Sequence, residues 1–187
     1  MSLKKILAAL IAACTLTSCT ASGRVHDKAY LRAVSICGEN EKTLTLTFFS
    51  DEKSVVTVTG SSVENALTAA ELRTGRRIFT GYTELVILGG TQEFSVLEDL
   101  LSVWKVSPSC MIAYGGSECG SILHDIPAEQ LHGSVENAVK KGISPDCGIV
   151  TVLSGLLSKD RKAVIPEISA DGAAGRTVPL CVSDPYG

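Results

Sequence analysis

"LRTGRRIFTGYTELVILGG", Leu72 to Gly90, carries glycines, arginines and an unbroken apolar run, and its reading decides the fold. Glycines beside arginines raise the question of a phosphate loop. Such a loop places its glycines between a strand and a helix N-terminus, where N–H groups point at the anion. Here the order is reversed: a helix, then Gly75, then a strand. The carbonyl end of a helix repels phosphate, and Arg76 and Arg77 just beyond it complement the helix dipole. Neither GxxxxGK[ST] nor GxGxxG occurs anywhere in the chain. The stretch therefore reads as a helix stop at Gly75 followed by a buried strand, "ELVILGG", central in a sheet.

Working back from Gly75, Ser61 and Glu64 have the spacing of a capping box. Val63, Ala66, Leu67 and Ala70 follow at helical spacing, so one helix face is buried. Before them, "TLTLTFF" and "SVVTVTG" alternate apolar and polar residues across a short polar loop and predict a β-hairpin. "YLRAVSIC" predicts a strand ahead of it. Working forward, "FSVLEDLLSVWK" predicts a helix with Phe94, Leu97, Leu101 and Trp104 on one stripe. "CMIAY" is a strand. "SECGSILHDI" and "AEQLHGSVENAVKK" are helices split by Pro127, the second with Leu131, Val135 and Val139 on its apolar face. "GIVTVLSGLLS" is a short helix, and "AVIPEI" a last strand that Pro166 demotes to an edge or an end. The sum is a mixed α/β (α+β) fold: a single domain, residues 29–169, with a mixed β-sheet flanked by helices. The Gly/Pro-rich residues 170–187 read as a loose C-terminal tail.

The N-terminus is a leader rather than part of the fold. "MSLKK" is a basic n-region and Ile6 to Leu16 an apolar h-region, too short to span a bilayer, which takes ~20 residues. Leu16-Thr17-Ser18-Cys19 then has the form of a bacterial lipobox. In that class the Cys19 thiol receives a diacylglyceryl group and becomes the new N-terminus. Residues 1–18 are thus expected to be a cleaved lipoprotein signal peptide and residues 19–28 a lipidated tether. Cleavage of an ordinary secretory signal at a nearby small residue is the alternative.

Composition bounds the function. Hydrophobic residues make up 45% of the chain and charged ones 20%, enough for a normal core. The net charge of −3 falls to −5 once Lys4 and Lys5 leave with the leader. There is no basic stripe or aromatic platform for nucleic acid. An acidic body is repelled by an anionic membrane, so the lipid, not a basic patch, is expected to hold it there. Of the seven cysteines, Cys14 leaves and Cys19 carries lipid. The other five, Cys37, Cys110, Cys119, Cys147 and Cys181, are odd in number and scattered. They read mostly as core fillers, and which two would pair, if any, is not readable.

Catalytic constellations are weak. Gly115-Gly116-Ser117-Glu118-Cys119 follows a strand and precedes a helix, but fails the last glycine of a nucleophile elbow. Ser117 reads as an N-cap. Cys119 with His124 is a thin case for a catalytic thiol. A metal set of Cys119, His124 and His132 fits no common ligand spacing. His26 falls in the tether. No catalytic, metal or cofactor-binding residue is assigned.

Several segments together resemble a known family. They are the lipobox, then Val58–Gly90 with its strand, helix, Gly-Arg-Arg, aromatic, glycine and apolar strand. Phe94–Gly115, a helix, a Pro-containing loop and a strand, follows, and then "GIVTVLSGLLSKDRKAVIPEI". This order resembles the N-terminal domain of the Ger(x)C family, the C-subunit lipoproteins of bacterial spore nutrient germinant receptors. The likeness runs from Leu16 to Ile168. Members of the family are longer, with further domains after this one, and carry an aromatic pair after the lipidated cysteine where this chain has Thr20-Ala21-Ser22-Gly23. The resemblance implies a non-catalytic accessory subunit without cofactors. It implies a lipid-anchored position on the outer face of the spore's inner (cytoplasmic) membrane, with integral-membrane receptor subunits as partners. Only Cys19, the lipid attachment site, carries over from the family. A lipid-anchored envelope domain for ligand binding or interaction, unrelated to germination, is the other reading.

Overall fold

The structure, a computed structural model, describes residues 28–90 and 94–181, the side chains of residues 51–53 excepted. The leader, Cys19, the tether up to Asp27 and residues 182–187 lie outside the described residues.

Eight strands form one mixed sheet. They are β1 (Lys28–Cys37), β2 (Lys42–Phe48), β3 (Asp51–Gly60), β4 (Arg77–Phe79), β5 (Leu85–Leu88), β6 (Met111–Tyr114), β7 (Lys162–Glu167) and β8 (Arg176–Cys181). Their order is β3-β2-β1-β5-β6-β7-β8, with β4 also beside β1. The strands β1, β5, β6 and β7 run parallel, and antiparallel strands β2 and β8 flank them. Among the described residues there are five α-helices: α1 (Val63–Thr74), α2 (Phe94–Ser102), α3 (Ile122–Asp125), α4 (Ala128–Lys140) and α5 (Ile149–Leu157). This is the single-domain mixed α/β architecture expected from the alternation of hairpin and helical patterns.

Parallel strands need both faces covered, because their crossover helices lie on them. That is why β5 reads as four apolar residues in a row and why Leu85, Val86 and Ile87 are all fully buried. The β2–β3 hairpin shows the alternating pattern instead. Leu44, Leu46 and Phe48 enter the core, while Thr45 and Thr47 on the other face are buried with their hydroxyls bonded, Thr45 to Thr57 Oγ1 and Thr47 to Ala33 O.

Helix α1 starts one residue later than the capping box implied. Ser62, not Ser61, is the N-cap, and its Oγ accepts from Asn65 N–H (3.1 Å). Asn65 Nδ2 in turn donates to Ser61 Oγ. The serine pair leaves two possible caps, and the one whose N3 amide it reaches prevails. At the other end Gly75 adopts φ 65° and its N–H bonds Glu71 O, as a C′ glycine does. Nothing lies within 4 Å of the position a Cβ would take there. Gly75→Ala is therefore expected to cost about 1–2 kcal/mol through backbone conformation alone, measured as a lower urea midpoint at unchanged m-value.

Three expectations need correction. Residues 170–181 do not form a loose tail: Arg176–Cys181 is strand β8, paired with β7 from Lys162↔Cys181 to Glu167↔Arg176. Pro166 consequently sits inside a strand with neighbours on both sides. It is tolerated because β7 pairs with β6 at Glu167↔Tyr114 alone, so no β6 carbonyl needs the N–H that proline lacks. Second, "SECGSILHDI" is not one helix. It is a 3-10 turn, Gly116–Gly120, followed by the single turn of α3. Third, α2 stops at Ser102, and Lys105 takes φ 55°. Its buried face is Val96, Leu97 and Leu100; Trp104 is buried from beyond the helix end.

Candidate functional site: a basic and aromatic surface

Parallel pairing of β4 with β1 sets Lys28 beside Arg77, Ala29 beside Ile78 and Tyr30 beside Phe79. Ala29 and Ile78 turn inward and are buried. By strand alternation the other two pairs share the outer face. Between β4 and β5 the chain leaves β1 for one turn, closed by Thr83 N–H and Thr83 Oγ1, both donating to Thr80 O (3.0 and 2.7 Å). It rejoins β1 where Glu84 N–H reaches Arg32 O. That excursion carries Tyr82 outward, 61% exposed.

Three rings consequently meet on the surface. Tyr30 stacks on Tyr82 with centroids 5.9 Å apart, Phe79 lies edge-on to Tyr82 at 5.2 Å, and Tyr30 to Phe79 is 5.6 Å. Lys28 Nζ sits 5.7 Å from the Phe79 centroid, a cation–π contact worth about 0.5–1 kcal/mol at an exposed site. Gly81 lets the cluster close: a Cβ there would lie 2.9 Å from Phe79 Cζ. The glycine of the "RRIFTGY" segment thus serves the aromatic cluster rather than an anion.

Among the described residues neither Arg76 nor Arg77 has an ion-pair partner, and both are exposed. The carboxylate nearest in sequence, Glu71, uses Oε1 to accept from Ile78 N–H (2.9 Å). Arg73 is held differently, donating to Thr57 O at 2.7 Å. Beside them runs an open groove of about 330 Å³ bordered by Arg73, Thr74 and Arg76 from the end of α1 and by Ser50, Ser54 and Val56 from β3 and its turn. Two guanidinium groups and several hydroxyls make it chemically suited to a small anion or carboxylate. On the other flank Arg32 donates to Glu84 (3.0 Å) and Glu129 (3.5 Å) and lies over the Phe49 ring.

The weak catalytic candidates go elsewhere. Cys119 is joined to Cys37 in a disulfide with Cα atoms 6.3 Å apart, so its sulfur is no free nucleophile. Gly89 and Gly115 make room for it: a Cβ at Gly89 would lie 2.6 Å from Cys119 Sγ, and one at Gly115 would lie 3.1 Å from Cys119 Cα. The missing elbow glycine is therefore a cystine half, and the glycines around it are its packing partners. Ser117 is not an N-cap. Gly115 holds that position, and Ser117 Oγ faces its neighbour Glu118 (3.5 Å). His124 Nε2 instead bonds Thr57 Oγ1 at 2.9 Å. Among the described residues no three His, Cys, Asp or Glu groups are placed to hold a metal ion. His26 and Cys19 lie outside the described residues.

The remaining thiols differ sharply. Burial pushes Cys110 up to about 12 and Cys147 up to about 11, with each thiol placed near other negative charge. Both are inert core fillers, as their sequence context suggests, whereas Cys181 on the edge strand is exposed.

No family model, curated protein or solved structure matches the chain.

Proposed function

We propose that this chain is a membrane-anchored, non-catalytic accessory subunit of a spore nutrient germinant receptor. It would be tethered through Cys19 to the outer face of the spore's inner membrane, beside integral-membrane receptor subunits. The observation that carries the reading is the ordered set of segments from the lipobox to Ile168, with Gly75-Arg76-Arg77 and Gly81 at its centre. The roles these residues take in the fold support it. Gly75 ends α1, Gly81 closes the aromatic cluster, and the two arginines are left pointing out of the domain, available to something outside it. The Cys37–Cys119 disulfide supports export, since such bonds persist in oxidising compartments. No helix among the described residues is long and apolar enough to cross a membrane; the reading of lipid attachment rests on the lipobox.

Tagged protein recovered from detergent-solubilised spore inner membranes is expected to bring two multispanning subunits with it, and its deletion is expected to slow nutrient-triggered germination. The groove between Arg73, Arg76 and β3 favours a second reading, a lipid-anchored envelope domain that binds a small anion. Expression in growing cells together with absence from spores would select that reading instead.

A further inference from the structure

The described residues begin at Lys28, and the first residues of β1 belong to the basic and aromatic surface. The expected lipid site, Cys19, is nine residues earlier in the sequence. Nine residues span at most about 30–32 Å when fully extended, so an anchored domain is confined near the bilayer by the end that carries these groups. That end presents Tyr30, Phe79 and Tyr82 with Lys28, Arg76 and Arg77. Tyrosines, with an apolar body and a polar tip, favour the headgroup level of a membrane, and Lys and Arg there are attracted to anionic lipid. The acidic body does not cancel this. Charges more than a Debye length away, about 8–10 Å, are largely screened, so the local sign decides. Of the neighbouring carboxylates among the described residues, Glu84 is paired with Arg32 and Glu71 accepts from Ile78 N–H.

We propose that this surface is a membrane-docking face, seated on the anionic headgroups of the bilayer that holds the lipid anchor. It fixes the orientation of the domain, with β1 rising from the membrane and the β1–β2 turn pointing away. The lipid supplies the attachment and a high effective concentration; the patch supplies the orientation. The inference rests on the lipid-anchor reading.

The test uses the lipidated mature protein, purified from membranes and reconstituted into phosphatidylcholine vesicles containing phosphatidylglycerol, with or without brominated acyl chains. Tyr82→Trp reports from the patch. Asn40→Trp reports from the exposed β1–β2 turn, roughly 30 Å along β1 at about 3.3 Å per residue. The unsubstituted chain, with its buried Trp104, supplies the blank. With brominated lipid, emission from Tyr82→Trp is expected to fall about twofold, as for a ring at the headgroup–acyl boundary, and emission from Asn40→Trp to stay unchanged. Arg76→Glu combined with Arg77→Glu should abolish that quenching while vesicle capture persists. Vesicle capture with lipid mass on Cys19 but equal quenching at both positions, or none at Tyr82→Trp, overturns the docking face and leaves the anchor standing. A Cys19 without lipid mass, and a chain that vesicles do not capture, overturns both.

Discussion

Cys19→Ala is expected to move the protein from the membrane fraction to the soluble fraction. The effect should be close to all-or-none. Each buried methylene contributes about 0.8 kcal/mol, and a diacylglyceryl group carries two chains, where a single chain gives only marginal, reversible binding. The patch around Tyr82 cannot replace it. A few rings and cations at an interface bind weakly without a tether, so the variant should remain folded and detached. Its unfolding midpoint should match that of the native mature chain, because the described domain begins nine residues later. In spores, slower nutrient-triggered germination should accompany the release. Unchanged membrane fractionation of the variant would defeat the anchor.

Cys37→Ala is expected to lower the unfolding free energy by about 2–4 kcal/mol. The bond joins residues 82 apart in sequence, so its loss frees a long loop in the unfolded chain. It also pins the 3-10 turn, Gly116–Gly120, to the end of the central strand β1. Urea unfolding should show a lower midpoint and a larger m-value, since an unfolded chain without the cross-link exposes more surface. Reducing agent should reproduce the shift in the native protein and leave Cys37→Ala unaffected. Alkylation of the folded, oxidised mature chain should label Cys181 and spare buried Cys110 and Cys147. After reduction, half-buried Cys37 should become labelled as well, whereas Cys119, as buried as Cys110, should react only on unfolding. A midpoint that ignores reducing agent would show that the pair contributes nothing to stability.

Much of the core was legible because its signals are local. "ELVILGG" is apolar without interruption, and only a strand covered on both faces can use such a run. Leu44, Leu46 and Phe48 alternate, and Gly75 stands one residue past a helical periodicity. The misreadings share a cause. Three-residue β4 is too short to show a period of two, so Phe79 did not declare its face. Strand β8 contains Pro179 and follows glycines, so its local signals spoke for a loop. Pairing with β7 overrode them. Ser61 and Ser62 are equivalent as caps until the helix axis chooses between them.

The candidate surface was hidden for the same reason. Lys28, Tyr30, Arg77, Phe79 and Tyr82 come from two segments almost fifty residues apart, and nothing in either marks the other. What the sequence determined by itself was the alternation of strands and helices and the helix stop at Gly75. These depend on residues within a few positions of each other. Only tertiary structure decided that Cys37 meets Cys119, that Arg76 and Arg77 have no ion-pair partner among the described residues, and that three rings gather beside Lys28. Each of these requires β4 to lie parallel against β1 or the turn after β6 to reach the end of β1. Such long-range pairing is set by burial of the whole sheet rather than by any one stretch of it.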